Sequence, residues 1–338
     1  MHITFVASSL VMGGIWRVIE SLSAYLAGGG DYISTVTFYD TVFRPPHGDY
    51  YTLDHPRASR LSRIIALRSV LRKLRPDVVV AFGPMKSLYT LLVSPAPVII
   101  SLQRDIWTCP VNAVWELGWR ALYSRAAAVV VLTSSSREYF MMPHIRVIPN
   151  PVTPLRVQGT APQLPSNTIL TVSRLSPEKG PDLLLRAFAM LNASAWHLAF
   201  AGNGAMRSAL GLLAQKLRIA DRVSFLGAVQ DVYGCLSQAQ IFALSSRSEG
   251  LGLALLEAMN WGLPVVSTAC AGPVSIITQG RDGLLTPIAA RCLADGLKQL
   301  ISDSAMRARL ALAAKKTAQR YRIETIGAQW RALIQEVA

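Results

Sequence analysis

The sequence has 338 residues, of which 51% are hydrophobic and 16% are charged. That length suffices for two domains of ordinary size, and the composition excludes an intrinsically disordered chain. The formal net charge of +14 at pH 7 favours an anionic substrate or an anionic membrane surface. A nucleic-acid partner is not expected, because the sequence carries no recognised binding motif and no interleaving of aromatic and basic residues.

No segment predicts a membrane span or a signal peptide. The longest apolar stretch, residues 87–102, contains Pro95 and Pro97 and falls short of the roughly 18–20 residues that a span requires. Residues 1–10 lack a basic region and indicate a first strand instead. We therefore expect a cytoplasmic protein with reduced cysteines, which have no metal-site spacing. The cysteines are Cys109, Cys235, Cys270 and Cys292.

Short β-branched runs alternate with amphipathic helix patterns along the whole chain. This pattern predicts an α/β fold of parallel sheets covered on both faces. The predicted strands are residues 3–7, 34–38, 78–82, 98–102, 128–132 and 146–148, then 168–172, 197–201, 223–225, 241–244 and 264–267. Between the two sets, the proline-rich residues 149–154 and a polar stretch predict a domain boundary. Ligands are expected at the carboxyl ends of the strands.

Two features of the first half could bind anions. Gly13 and Gly14 open the first helix, although such a pair is often only a tight turn. The segment from Arg57 to Arg75 has seven cations and no acid, and it predicts a helix. Leu61, Ile64, Ile65, Leu71 and Leu74 are expected near one side of that helix. It is either a packed helix with a solvated basic face, or a site for an anionic bilayer or a polyprenyl diphosphate.

Two loops of the second half carry the strongest candidates. The loop at residues 173–180 places Arg174 and Lys179 after a strand, where fixed cations would stabilise a departing diphosphate. The segment at residues 247–259 places Glu249 before a glycine-rich turn and Glu257 inside the following helix. The start of such a helix favours phosphate. Solvated surface charges remain the alternative for both loops.

Two further observations concern the same edge of the second sheet. Gly202 lies in a permissive Gly-Asn-Gly loop after a strand. No two aspartates have the D-x-D spacing that usually holds a divalent metal on a nucleotide-sugar diphosphate. If the chain cleaves such a donor, Arg174, Lys179 and the helix dipole must replace the metal.

These motifs resemble those of the family-4 retaining glycosyltransferases of the GT-B fold, over nearly the whole chain. The motifs are GGIWRV, VIPNPV, TVSRLSPEKGPDLLLRAF, AGNG, RVSFLGAVQDV, SSRSEGLGLALLEAMNWGLPVVST and AGPVSIITQGRDGLL. The resemblance implies two Rossmann-like domains that face each other across a cleft. Residues 1–155 would bind the acceptor, residues 166–320 would bind the nucleotide sugar, and residues 321–338 would cross back to the first domain.

The resemblance also implies roles for individual residues. Arg174 and Lys179 would bind the donor diphosphate. Glu257 would bind the ribose hydroxyls, and Glu249 would contact the donor sugar. The catalytic residues would be Glu249, Arg174 and Lys179. Residues 222–227 would form the wall for the base. The remaining donor contacts would come from Gly14, Gly202, Gly250, Leu251, Gly252 and Leu253.

Departures from the family pattern affect the acceptor side. Trp16 stands where many relatives have an acid, Ser275 where many have a glutamate, and residues 101–105 lack the histidine common there. This variant resembles a subset that often adds acetamido sugars or hexoses to lipid-linked glycans. The acceptor-side candidates are Trp16, Arg17, Arg104 and Asp105.

The resulting hypothesis is a metal-independent, retaining glycosyltransferase without a cofactor. It would move a hexose or N-acetylhexosamine from a UDP-sugar to a lipid-linked glycan acceptor. The reaction would belong to the assembly of a surface polysaccharide or a glycoconjugate. Front-face substitution is favoured because it requires no general base, and double displacement through Glu249 is the alternative. A GT-B-like sugar-nucleotide epimerase or a phosphorylase is the rival activity. A peripheral position on the inner face of the cytoplasmic membrane would follow if the basic segment binds lipid.

Overall fold

The chain forms two compact units in the computed structural model. Unit 1 comprises Met1–Thr153 and Arg322–Ala338, and unit 2 comprises Pro154–Tyr321. The residues that the structure describes are 1–10, 14–40, 44, 47–54, 59–103, 121–140, 144–152 and 161–338. Each unit is built on its own parallel sheet, so the predicted α/β class of two doubly wound domains is confirmed.

Unit 1 contains a parallel sheet in the order β3-β2-β1-β4-β5-β6-β7. Its strands are β1 (His2–Ala7), β2 (Tyr32–Thr37), β3 (Asp49–Thr52), β4 (Val78–Phe82), β5 (Val98–Ser101), β6 (Ala128–Val131) and β7 (Ile145–Val147). The strand order reverses direction between β1 and β4, which makes this pair the topological switch point of the unit. The two neighbours of β1 are β2 and β4, and the loops that follow them start at the same carboxyl edge of the sheet.

Helices cover the sheet of unit 1, as parallel strands require crossover connections. The described helices are α1 (Gly14–Gly28), α2 (Arg60–Leu74), α3 (Pro84–Val93), α4 (Ser134–Phe140) and, from the end of the chain, α12 (Ile323–Val337). The buried face of α12 contains Trp330 and packs on α1. Arg331 fixes this contact, because its guanidinium donates to the carbonyls of Tyr25 and Leu26 at the end of α1.

Unit 2 contains a second parallel sheet in the order β10-β9-β8-β11-β12-β13. Its strands are β8 (Thr168–Val172), β9 (His197–Ala201), β10 (Val223–Gly227), β11 (Ile241–Leu244), β12 (Val265–Thr268) and β13 (Leu284–Thr286). Its helices are α5 (Pro181–Ala189), α6 (Arg207–Lys216), α7 (Val232–Leu236), α8 (Leu253–Trp261), α9 (Ala271–Ile276), α10 (Ala290–Ser302) and α11 (Ser304–Ala318). Here the switch point lies between β8 and β11.

The central strands are buried on both faces, which explains their continuous apolar composition. Every residue of Val78–Phe82 and of Ile241–Leu244 is buried. The predicted limits of these two strands, of Thr168–Val172 and of His197–Ala201 agree with the structure. The sequence missed β3 and β13, because both are short strands at the edges of their sheets.

The basic segment forms a helix, but part of the expected apolar side was wrong. Leu67 and Leu71 are buried against the unit, whereas Leu61 and Ile65 are 67% and 60% exposed. These two residues lie on the outward face because they are about a third of a turn away from the buried pair. Arg57, Cys109 and the interdomain residues 153–160 lie outside the described residues.

Two expectations about composition can be compared with the structure. Cys235 and Cys270 are buried, Cys292 is half-buried, and all three are free thiols. Among the described helices, none has both the length and the apolar character needed to cross a bilayer.

Candidate functional site

Three loops of unit 2 meet at the carboxyl edge of its sheet. They follow β8, β9 and β11, and β8 lies between the other two strands. The loops after β8 and β11 flank the switch point, where doubly wound sheets bind their ligands. The sequence candidates Arg174 and Lys179 lie in the first of these loops, Gly202 in the second and Glu249 in the third.

Lys179 and Glu249 form an ion pair between the two switch-point loops. Lys179 Nζ lies 2.8 Å from Glu249 Oε2, and both side chains are largely shielded from solvent. The other carboxylate oxygen, Oε1, accepts a hydrogen bond of 2.8 Å from the Ser246 hydroxyl. The carboxylate is therefore held from both sides, and the ammonium is fixed at the sheet edge.

Arg247 ties the same two loops together. Its guanidinium donates to both carboxylate oxygens of Asp182, at 2.8 and 2.7 Å, and to the Pro177 carbonyl at 2.8 Å. Its backbone N–H donates to the carbonyl of Glu178 at 2.8 Å. Lys179 thus lies in a turn that Arg247 holds by hydrogen bonds before and after it, to Pro177 and to Asp182. No motif in the sequence indicated a role for this arginine or for Asp182.

The hydrogen bonds from Arg247 hold the pKa of Asp182 below its ordinary value, although burial acts in the opposite direction. The same hydrogen bonds raise the pKa of Arg247. Asp182 lies in the first turn of α5, where the helix dipole also favours an anion. The pair therefore stays ionised well into the acidic range.

The loops approach each other so closely that glycine is required at two positions. Gly180 has φ +57°, and a Cβ there would collide with the carbonyl oxygen of Ser245. Gly202 has φ +148°, and a Cβ there would collide with the carbonyl oxygen of Ser173. A larger residue at either position would strain the backbone and push the loops apart.

Glu257 lies on α8, one turn beyond its start, and is 1% exposed. The alternative of a plain surface glutamate is therefore wrong. Burial of a carboxylate costs free energy that polar contacts have to offset. The helix begins at Leu253 after Gly252, with no side-chain cap on its first N–H groups. Leu251 is buried, and the Glu249 carbonyl accepts from the N–H of Gly272.

Arg174 is the exposed cation of the site. Its side chain is 70% exposed and pairs with Glu178 at 3.0 Å. Exposed pairs of this kind are worth about 0–1 kcal/mol, so an anionic ligand could displace Glu178 at little cost. Burial opposes ionisation of Glu178, but nearby polar groups and the charges of Arg174 and Lys179 hold its pKa below the ordinary value.

Two side chains of the expected base wall already have intramolecular partners. The Phe225 ring stacks on Phe200 at 5.1 Å between centroids, and Arg207 lies 4.0 Å above it. Arg222 donates to the carbonyl of Ala193 and lies over the Phe188 ring. Any contact of residues 222–227 with a base would therefore have to use backbone or other side chains.

The acceptor-side candidates belong to unit 1. Gly14 begins α1 and is exposed, and Trp16 and Arg17 lie in its first turn. Arg104 and Asp105 lie outside the described residues. The preceding Gln103 donates to Ser101 Oγ at 2.8 Å and accepts from the amide of Asn150 at 2.7 Å. This buried link from β5 to the VIPNPV motif was not foreseen.

Among the described residues, no group of three or more histidine, cysteine, aspartate or glutamate side chains could hold a metal ion. Unit 2 places two cations, Arg174 and Lys179, at the carboxyl edge of its sheet, where α8 also begins. Such a set at a switch point is typical of proteins that bind phosphorylated nucleotides. The fold and site thus define a class of two doubly wound domains with a candidate anion site at the switch point of unit 2.

Comparison with known proteins identifies the family within this class. The model of a glycosyl transferase 4-like domain matches residues 13–151, and that of glycosyl transferases group 1 matches residues 157–317. The chain belongs to the family-4-like glycosyltransferases of the GT-B fold. The family expected from the sequence motifs is confirmed.

Two relatives are similar over almost their full length. One is a Campylobacter jejuni α-1,4-N-acetyl-D-galactosaminyltransferase named for GalNAc-α-(1→4)-GalNAc-α-(1→3)-diNAcBac-PP-undecaprenol. It is 26% identical over 360 residues, covering 100% of this chain and 99% of that protein. The other is the amylovoran biosynthesis glycosyltransferase AmsD of Erwinia amylovora. It is 25% identical over 345 residues, covering 94% of this chain and 95% of that protein.

Solved structures show the same fold. HepE of Anabaena in complex with UDP superposes with a TM-score of 0.83 and 22% identity, over 99% of this chain and 100% of that chain. Sucrose-phosphate synthase of Thermosynechococcus elongatus has a TM-score of 0.86 and 19% identity, over 99% of this chain and 98% of that chain. The chain is a glycosyltransferase of polysaccharide or glycoconjugate biosynthesis.

Proposed function

We propose that this enzyme transfers a hexose or N-acetylhexosamine from a UDP-sugar to a glycan acceptor carried on a polyprenyl diphosphate, with retention of anomeric configuration. The observation that carries the proposal is the Lys179–Glu249 ion pair of 2.8 Å at the switch point of unit 2. It lies in the loops that precede α5 and α8, and Glu257 is buried on α8. These groups match a diphosphate, a sugar and a ribose.

Lys179 and Arg174 would bind the diphosphate, and the first N–H groups of α8 would add their dipole. At about 4 Å and an effective dielectric constant near 20, each cation contributes at most about 4 kcal/mol before desolvation. The diphosphate gains negative charge as it leaves, so these contacts strengthen in the transition state. Two side-chain cations and a helix start would then replace the divalent metal used elsewhere.

Glu257 would accept hydrogen bonds from the ribose hydroxyls, and Glu249 would accept them from the donor sugar. Backbone groups at Gly250, Leu251 and Gly202 would line the same donor site. Lys179 is already paired with the Glu249 carboxylate. A bound donor diphosphate would therefore either compete with Glu249 for the ammonium or bind next to the intact ion pair.

In the front-face reaction, the acceptor hydroxyl approaches the anomeric carbon from the side on which UDP departs. The bond between the anomeric carbon and the phosphate oxygen breaks, and the glycosidic bond forms on the same face. The departing phosphate oxygen takes the acceptor proton, so no enzyme base is needed. Double displacement, with Glu249 as the nucleophile, remains the alternative route.

Two relatives support the substrate classes. The name of the Campylobacter jejuni relative specifies a diphosphate-linked undecaprenol acceptor, and the Anabaena HepE structure contains UDP. The acceptor would be bound by unit 1, to which Gly14, Trp16 and Arg17 belong. The relatives and structures described above do not favour an epimerase or a phosphorylase.

We also propose that α2 attaches the enzyme to an anionic membrane surface on its cytoplasmic side. Four exposed residues form a stripe along the outward face of the helix, at positions 61, 65, 68 and 72. Leu61 and Ile65 could enter the acyl boundary, while Arg68 and Arg72 would meet lipid phosphates. This position would bring the enzyme to a lipid-linked acceptor.

The reaction is tested by incubating the enzyme with UDP-sugars and a short prenyl-diphosphate-linked glycan, with and without EDTA. Nuclear magnetic resonance of the product gives the anomeric configuration. We expect the α-configuration of an α-linked donor to be kept, with turnover that EDTA does not reduce. An inverted product, or turnover without any acceptor, would exclude the proposed reaction. If EDTA abolishes activity and only an added divalent metal restores it, the reaction is not independent of metal.

A further inference from the structure

Lys86 of unit 1 is surrounded by aromatic rings. Its ammonium lies 4.4 Å from the ring centroid of Phe38, 4.8 Å from that of Tyr39 and 5.5 Å from that of Tyr89. Each distance falls within the range of cation–π attraction. The rings therefore hold a flexible side chain in one place at the cost of its rotamer freedom.

The ammonium differs from its neighbour Arg63 in having no carboxylate partner among the described residues. Arg63 lies 4.6 Å over the Tyr39 ring and pairs with Asp54 at 2.9 Å. In the part of the chain that the structure describes, the ion pairs and side-chain hydrogen bonds do not include the Lys86 ammonium. Ring faces attract the charge but do not replace oxygen acceptors for its three N–H donors.

The cluster lies at the switch point of unit 1. Phe38 and Tyr39 follow β2, and Lys86 follows β4, so the cluster spans the carboxyl ends of the two strands that flank β1. Lys86 is also in the first turn of α3. A cation there is disfavoured by the positive end of the helix dipole, and an anionic ligand would reverse that penalty.

We propose that Lys86 is a binding residue for the phosphate or diphosphate group of the acceptor. The proposal rests on the proposed function for the identity of that acceptor, but the site itself is defined by the chemistry of unit 1. The aromatic rings position the ammonium, and its N–H groups donate to the phosphate oxygens. Hydrogen bonds to charged groups are worth about 1.5–3 kcal/mol, which corresponds to about 10–100-fold in affinity.

The test measures binding and requires no sugar transfer, so it can succeed even if the proposed reaction is wrong. Geranyl diphosphate, geraniol and inorganic pyrophosphate are titrated calorimetrically against a Lys179→Met chain, in which the donor loops lack the Lys179 ammonium. A second chain adds Lys86→Met, and a third adds Lys315→Met at an exposed position of α11 as the matched control. Thermal melting confirms that all three chains fold.

We expect Lys86→Met to weaken geranyl diphosphate about tenfold or more, with little effect of Lys315→Met and no binding of geraniol. Lys86→Arg should retain binding and serves as the second variant if the methionine variant does not fold. Geranyl diphosphate that binds at least about tenfold more tightly than pyrophosphate assigns the site to a lipid-linked acceptor, whereas equal affinities assign it to free phosphate anions. Unchanged geranyl diphosphate affinity in Lys86→Met, or no binding to the parent chain, overturns the proposal.

Discussion

Lys179 Nζ and Glu249 Oε2 lie 2.8 Å apart, although 70 residues separate them in the chain. They meet because β8 and β11 are neighbours in the sheet, and each residue lies in the loop that follows its strand. The pair is largely shielded from solvent, so removing one charge leaves the other without compensation. Substitutions at these two positions should consequently have distinct effects.

Lys179→Met should reduce kcat by about 10²–10³-fold, because it removes one fixed positive charge from the departing diphosphate. Lys179→Arg should retain part of the activity, since it keeps the charge but changes the geometry. Steady-state kinetics with the preferred UDP-sugar measure both effects. Lys216→Met, on the exposed surface of α6, is the matched control. Equal kinetics for Lys179→Met and Lys216→Met would refute the diphosphate role.

Glu249→Gln distinguishes the two chemical routes. The amide can still accept a hydrogen bond from a sugar hydroxyl, but it cannot act as a nucleophile. Front-face substitution predicts that substantial turnover remains, whereas double displacement predicts loss of the glycosyl-enzyme intermediate and of nearly all turnover. Mass spectrometry of the enzyme after incubation with donor alone provides the second readout.

The bidentate Arg247–Asp182 pair should act through Lys179 and not by touching the substrate. Arg247→Lys loses the two-pronged hydrogen bond, so the turn at residues 177–180 should loosen. We expect an increase in the KM for the donor of about tenfold with a smaller change in kcat, and a stability loss of about 1 kcal/mol. Arg186→Lys, exposed on α5, is the control. A kcat effect as large as that of Lys179→Met would argue for direct substrate contact.

The same pair predicts a pH dependence of stability. The pKa of Asp182 is lower in the folded chain than its ordinary value, because Arg247 donates hydrogen bonds to the carboxylate. Its stabilising contribution is therefore complete above the ordinary pKa of about 3.9 and disappears as the pH falls towards the lowered value. Urea unfolding should show the difference between the parent and Asp182→Asn shrinking only below about pH 4. A difference that shrinks between neutral pH and that point would contradict this assignment.

Glu257→Gln should weaken UDP by about 10–100-fold and leave pyrophosphate binding nearly unchanged. The reason is that a carboxylate accepts two ribose hydroxyls, whereas an amide presents a donor to one of them. Calorimetry with the two ligands separates ribose recognition from diphosphate recognition. The control is Glu324→Gln, the same change at an exposed position of α12. Parallel losses for UDP and pyrophosphate would instead indicate a general collapse of α8.

Membrane attachment through α2 predicts different effects for its apolar and basic residues. Arg68→Ala with Arg72→Ala should lower binding to phosphatidylglycerol vesicles by about 30-fold, at about 1 kcal/mol for each charge. Leu61→Ser with Ile65→Ser should weaken binding at high salt, where screening leaves the apolar contribution. Vesicle flotation measures both, with Lys315→Ala and Lys316→Ala on α11 as the charge-matched control. Equal binding by all variants, or none by the parent, would end the idea.

Local pattern predicted most of the fold. Buried central strands such as Val78–Phe82 are continuous apolar runs, and their limits are visible in the sequence. Asp49–Thr52 and Leu284–Thr286 were missed because edge strands are short and need less apolar surface. The outward position of Leu61 and Ile65 could not be predicted, because cations are interspersed on every side of α2 and only its docking decides which side is buried.

Only those residues of the candidate site that lie in local sequence motifs were predicted. Lys179 and Glu249 were found because each follows a strand in a glycine-containing loop. The Arg247–Asp182 pair and the Lys86 rings join residues from distant segments, and no spacing in the chain indicates them. Such contacts depend on the order of strands in the sheet, which the sequence left open.

The most direct test is a thermal-shift titration of the parent chain with a panel of nucleotide sugars. We predict saturable stabilisation by at least one UDP-sugar, lost in Lys179→Met and Glu257→Gln and preserved in Glu324→Gln, because a ligand that binds only the folded state raises Tm. Stabilisation by no nucleotide sugar, or by the same ligand equally in all four chains, would contradict a donor site in unit 2.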